Sequence, residues 1–294
     1  RDDGRCFLKP KTVRVVSRGA AGQSFGAFCN DGLLLEHTGT CNDGVGKGAC
    51  GGEIIIKAPA GGGSGDGQNV LIGNFALFGA TGGRVFIQGQ AGDRFAVRNS
   101  GATAVVEGVG DFCAEYMTNG AVLNLGGFSK GLGNGMSGGF AYQYDPEGKL
   151  PDYISHDSVL AGTFADGSEQ AEIHETAVKK MLRWHIEATG SVRGEVLLAE
   201  WESTRDNLYW IMPKALLQYQ DADEILRARS RKDLVEELAA ALAKHQISLL
   251  KAAYKSGEAV LGGGVPDYGV TETGDMYRLL NSFTVMEMAQ AIVA

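Results

Sequence analysis

Apolar residues in the first half of the chain come in short runs of three or four: Leu33-Leu34-Leu35, Ile54-Ile55-Ile56, Val85-Phe86-Ile87, Ala104-Val105-Val106, Ala121-Val122-Leu123 and Phe140-Ala141-Tyr142. Each run follows an irregular polar stretch rich in glycine. The glycines that open these units, Gly19, Gly39, Gly73, Gly89, Gly108 and Gly126, stand 20, 34, 16, 19 and 18 residues apart. The long interval contains Ala60-Gly61-Gly62-Gly63-Ser64-Gly65-Asp66-Gly67, which reads as a surface insertion. A period near 18 residues, with one short strand per unit and no helical spacing between strands, predicts the coils of a β-solenoid. Parallel strands joined by crossovers predict a right-handed winding. A glycine-rich barrel or sandwich is the alternative, but two-residue Asn-Gly hairpin links between alternating strands are mostly missing.

The pattern changes near Pro146 to Pro151, where apolar spacing becomes helical. Within Glu169 to Thr189, Ala177, Val178, Met181, Leu182 and Ile186 share a face, and Gly190 sits where a left-handed residue would close the helix. Ser191 is placed to cap a second helix through Trp201. Further helices are predicted over Lys214 to Arg229, Lys232 to Tyr254 and Thr284 to Val293. The expected fold is therefore mainly β: a right-handed parallel β-helix of glycine-rich repeats over residues 1–150, then a C-terminal α-helical extension over 151–294. That extension would cap the solenoid, dock a neighbour, or do both.

Composition supports the division. Of 44 glycines, 34 lie in the first 150 residues. The sharp turns of a coil favour positive φ, and a layer spacing of about 4.8 Å leaves little room for a Cβ. Fourteen glycines are expected to hold coil corners: Gly22, Gly26, Gly46, Gly48, Gly79, Gly82, Gly83, Gly92, Gly101, Gly108, Gly110, Gly135, Gly138 and Gly139. Charge is balanced in residues 1–150, with 13 cations and 13 acids, whereas 151–294 carry 14 and 22. The net charge of -8 argues against general nucleic-acid binding. No apolar run is long enough to span a membrane, and Arg1-Asp2-Asp3-Gly4-Arg5 lacks the apolar stretch of a secretory signal, so a cytoplasmic setting is expected.

Candidate chemistry is sparse. Cys6, Cys29, Cys41, Cys50 and Cys113 form no CxxC pair and are expected to be reduced structural thiols. Gly108-Val109-Gly110 and Gly46-Lys47-Gly48 lack the full context of a phosphate-binding loop. His174 and His185 lie eleven residues apart on one predicted helix, but no third ligand is spaced to join them, so a surface or packing role is favoured. Glu107 and Glu115 are the candidate carboxylate pair. Neither is assigned a catalytic role, and no catalytic, cofactor-binding or metal-ligating residue is assigned to the chain.

Several strings taken in order, including Gly22-Gln23-Ser24-Phe25-Gly26-Ala27-Phe28, Asn42-Asp43-Gly44-Val45-Gly46-Lys47-Gly48, Leu77-Phe78-Gly79-Ala80-Thr81-Gly82-Gly83, Ala91-Gly92-Asp93-Arg94-Phe95 and Gly135-Met136-Ser137-Gly138-Gly139, resemble the GXGXG β-helix domain of the glutamate synthase large (alpha) subunit. The resemblance covers about residues 12–145; Asp111-Phe112-Cys113-Ala114 stands where that family carries aspartate-histidine-glycine-cysteine. It implies a structural, non-catalytic domain or subunit in an enzyme that transfers the amide nitrogen of glutamine to 2-oxoglutarate. The implied partners are glutamine amidotransferase and FMN-binding synthase domains or subunits, which would house the FMN and the iron-sulfur cluster. Two other readings stand beside it. One is the solenoid component of another oxidoreductase complex, of the N-methylglutamate synthase or formylmethanofuran dehydrogenase type; the other is a non-enzymatic binding module.

Overall fold

In the computed structural model, residues 8–59, 69–164 and 169–214 are described. The chain divides into two units, Arg1–Ala215 and Leu216–Ala294, and all described residues fall in the first. The helices expected over 214–229, 232–254 and 284–293, and the loop at 60–67, lie outside the described residues apart from Lys214.

Nine strands form one sheet in the order β1 (Val13–Ala20), β2 (Leu33–Thr40), β3 (Cys50–Lys57), β5 (Gly82–Ile87), β7 (Ser100–Gly108), β8 (Asn119–Gly127), β9 (Phe140–Tyr144), β11 (Leu208–Pro213) and β10 (Val159–Thr163). Pairing is parallel from β1 to β9. A second sheet pairs β4 (Val70–Ile72) with β6 (Gln90–Ala91) in parallel. The fold is a β-solenoid of about six turns. All six apolar runs singled out in the sequence lie in the strands β2, β3, β5, β7, β8 and β9.

Register stacks like residues in columns. Val15, Leu35, Ile54, Val85, Ala104, Val122 and Ala141 form one, and its members from Ile54 onward belong to the buried core. The next position points the other way, because side chains alternate along a strand. There Ile55, Phe86, Val105 and Leu123 are also buried. Helix α2 (Glu169–Thr189) contacts β3, β5 and β7 and explains the second burial. Its Val178, Met181 and Leu182 are fully buried, and Gly190, at φ +70°, ends the helix in left-handed backbone.

Ser191 caps α3 (Val192–Ala199), its hydroxyl accepting the Gly194 N–H at 2.9 Å. A short α4 (Trp201–Asp206) follows, and α1 (Leu150–Tyr153) lies just after the last coil. Two strands stand in a region that reads as helical. Strand β11 returns antiparallel to β9, and β10 pairs antiparallel with β11. This pairing satisfies the backbone edge of β9 and closes the core with Ile211 and Val159, both buried.

Candidate functional site

The turn face of the solenoid repeats one backbone device. In each coil three alternate residues take positive φ: Ser24, Gly26 and Phe28; Gly44, Gly46 and Gly48; Phe75, Leu77 and Gly79; Arg94, Ala96 and Arg98; Phe112, Ala114 and Tyr116; Gly131, Gly133 and Gly135. Hydrogen bonds between coils alternate in direction along each row. The first and third residues donate to the following coil, as Arg94 N–H does to Asp111 O (2.7 Å) and Arg98 N–H to Glu115 O (2.8 Å). The middle one donates to the preceding coil, as Ala96 N–H does to Ala76 O (2.8 Å). The middle side chains Leu77, Ala96 and Ala114 are fully buried, whereas Phe28, Arg98 and Tyr116 are exposed.

Ten of these eighteen positions are not glycine. A left-handed residue with a side chain costs roughly 1–2 kcal/mol, so these rows are held by their hydrogen bonds and packing. Large side chains lie over a neighbouring glycine. A Cβ on Gly131 would stand 2.4 Å from the Phe112 ring, and one on Gly135 would stand 2.4 Å from the Tyr116 ring. Arg94 lies 5.6 Å from the Phe112 centroid and pairs with Glu115 at 3.2 Å, while Asn134 donates to the same carboxylate at 3.3 Å.

A polar ladder runs beside the rows. Asp43, Asn74 and Asp93 each accept, through Oδ1, the backbone N–H of the next rung: Asn74 (2.8 Å), Asp93 (2.9 Å) and Asp111 (2.9 Å). The rungs account for Gly92 and Gly110, where a Cβ would come within 2.4 and 2.2 Å of those side-chain oxygens. Gly82 and Gly101 likewise face carbonyls of Cys50 and Thr81, at 2.8 and 2.4 Å from a Cβ, without positive φ. Gly22, Gly26, Gly46, Gly48, Gly79, Gly83, Gly135 and Gly139 do take positive φ, between +63° and +96°. Gly108, at +158°, is nearly extended, and Gly138 donates its N–H to Met117 O at 3.3 Å.

Buried polar side chains gather where α2 and α3 meet the sheet. Glu107, in β7, accepts from His185 Nε2 at 3.0 Å and from the Ser191 hydroxyl; all three residues are at most 2% exposed. His185 Nδ1 has no hydrogen-bond partner among the described residues. His174 packs elsewhere, stacked on Trp210 and bonded through Nδ1 to the Tyr142 hydroxyl at 2.9 Å. Burial lowers its pKa to about 4 and keeps the ring neutral. The two histidines on α2 therefore have separate partners, as do Glu107 and Glu115.

His37 is also fully engaged: Ser17 Oγ meets Nδ1 at 2.9 Å, and Nε2 meets Gly19 O at 2.9 Å. Cys29, Cys41, Cys50 and Cys113 are free thiols, and burial pushes those of Cys41 and Cys113 up to about 12. Among the described residues no group of three His, Cys, Asp or Glu is placed to hold a metal ion. No helix among them is long and apolar enough to cross a membrane. Sequence reasoning missed the ladder, the His37 contact and the side chains at left-handed positions. A signal existed in the i, i+2, i+4 rows recurring with the strand period.

The geometry is that of a stack whose polar groups are engaged by neighbouring coils, and comparison with known proteins agrees in kind. The model of the GXGXG motif family matches residues 3–214. Ferredoxin-dependent glutamate synthase 2 of Synechocystis sp. is 44% identical over 203 residues, which are 68% of this chain and 13% of that protein. The large chain of NADPH glutamate synthase from Bacillus subtilis is 41% identical over 226 residues, 77% of this chain and 15% of that protein. NADH glutamate synthase of Schizosaccharomyces pombe is 41% identical over 218 residues, 73% and 10% of the two chains. The matched stretch thus spans 10 to 15% of the length of these relatives.

Proposed function

The chain belongs to the GXGXG family, in the form found in glutamate synthases, and from that premise we propose that it is the non-catalytic scaffold of a glutamate synthase-like enzyme. The enzyme would move the amide nitrogen of glutamine to 2-oxoglutarate and form glutamate. Amidotransferase and FMN-binding parts, on the same polypeptide or on partner subunits, would carry the chemistry, and the solenoid would hold them at fixed separation.

The observation that carries this reading is the engagement of the chain's own reactive groups. His37, His174 and Glu107 each bond to structural neighbours. The described cysteines do not fit an iron-sulfur cluster: Cys29, Cys41 and Cys113 are buried, Cys113 in the fifth coil, three beyond that of Cys41, the Cys50 thiol donates to the Cys29 carbonyl, and no three of them gather. The cluster and FMN are accordingly assigned to the neighbouring parts, in a cytoplasmic enzyme.

A chimera tests the proposal. Residues 3–214 replace the matching segment of the Bacillus subtilis large chain, and glutamine-dependent glutamate synthesis is compared with that of the same chain lacking the segment. The scaffold reading expects activity with the chimera and none with the deletion. A chimera that folds and retains flavin but makes no glutamate overturns it, as would a stoichiometric flavin or cluster spectrum from the isolated 294-residue chain.

A further inference from the structure

The two ends of the solenoid are finished differently. Beyond β9, strands β11 and β10 continue the sheet. At the other end β1 is the outermost strand among the described residues, and seven of its eight residues are exposed. Val13 N–H donates to Gly32 O and Ala21 N–H to Thr40 O, so with unbroken register the odd-numbered residues face β2. The N–H and C=O groups of Arg14, Val16, Arg18 and Ala20 therefore point away from the sheet. The turn row repeats the vacancy. Middle residues of the later rows donate to the preceding coil, but Gly26 N–H has no acceptor among the described residues.

Side chains define what would fit. Val13 and Val15 head the interior columns and remain 42% and 45% exposed. The opposite face carries Arg14 and Arg18. Glu36 occupies Arg14 through two bonds of 2.7 and 3.0 Å, whereas Arg18 has no ionic partner among the described residues. Leu8 to Asn30 contains four cations and no acidic residue. Two copies of β1 paired edge to edge would bring their arginines together, which disfavours self-association.

We propose that this edge binds an extended strand with alternating apolar and acidic residues, which adds a parallel layer to the solenoid. Its apolar side chains cover Val13 and Val15, its acids face Arg18, and its backbone bonds the outward groups of β1. The reading concerns the edge alone and holds whatever enzyme the chain serves.

The probe is a synthetic eight-residue peptide alternating valine and glutamate, with its valine–lysine counterpart as control, added to the 294-residue chain. Amide hydrogen exchange at Arg14, Val16 and Arg18 should slow about tenfold with the acidic peptide. It should stay unchanged with the basic one, and the effect should weaken in high salt. Val16→Pro removes an outward N–H that β2 does not use, so it should leave the melting temperature in place and abolish protection. Arg18→Glu, which preserves the backbone, should reverse the preference between peptides. Equal protection by both peptides, or by neither, overturns the proposal. So does protection that grows with protein concentration in the absence of peptide, which would assign the edge to a second copy.

Discussion

The coils and the C-terminal elements packed on them, α2, α3, β10 and β11, are held in place by different means. In the coils the backbone does most of the fitting. Alternate left-handed residues send hydrogen bonds to both neighbouring layers, and glycines let carbonyl and carboxylate oxygens of one layer approach the next. The helical elements are joined to the sheet through side chains, Glu107 with His185 and Ser191, and His174 with Tyr142 and Trp210. A repeated backbone solution tolerates variety at its outer positions, where serine, phenylalanine, arginine or glycine serves in the first place of a row. A single buried cluster has no such repetition, so each member matters separately.

The largest effect should come from Glu107→Ala, which leaves two buried donors unpaired and should destabilise the fold by about 3–5 kcal/mol. Glu107→Gln, which keeps an acceptor, should cost less. Urea denaturation of the two variants decides the point, and a loss below about 1 kcal/mol for the alanine would place the junction's strength in apolar contacts instead.

Acid provides the next test. His174 has a folded pKa of about 4 against an ordinary value of 6.5, so the unfolded chain binds the proton more readily. Its contribution is complete above pH 6.5 and is lost as the pH falls toward 4, up to about 3 kcal/mol. Melting curves between pH 7 and 4 should show this slope, and His174→Phe should flatten it. An unchanged slope in the variant would move the acid sensitivity elsewhere.

Within the coils, Gly131→Val should destabilise by about 2–3 kcal/mol, since it combines positive φ with a clash against Phe112. Adding Phe112→Ala should recover the part due to the clash, about 1 kcal/mol of coupling in a double-mutant cycle. Additive losses would mean that the ring moves aside freely. The smallest effect is expected for Ala96→Gly, within about 0.5 kcal/mol, because relief of backbone strain offsets the added entropy of the unfolded chain. Gly46→Ala should cost about 1–2 kcal/mol at the equivalent place. Equal thermal shifts for the two changes would erase the distinction between relieved and imposed strain.

Legibility in the sequence followed the same division. The stacked strands could be placed because each is a short apolar run bounded by glycine and repeated at nearly constant spacing. Helix α2 and its Gly190 end were equally readable, as was the Ser191 cap. Strand β1 carries the same alternation but opens before the first counted glycine, and β10 and β11 are isolated runs with no repeat to mark them.

The sequence by itself determined the repeat, the strand positions and the need for small residues between layers, because these depend on local conformation and a fixed layer spacing. Only the tertiary structure decided which glycines answer to positive φ and which to a neighbouring oxygen. It also decided that Glu107 meets residues 78 and 84 positions away, and that β1 has no strand on its outer side among the described residues. Those outcomes depend on which coil lies above which and on where a helix folds back. Contacts between distant segments are set by packing the whole stack, and the spacing within any one segment does not encode them.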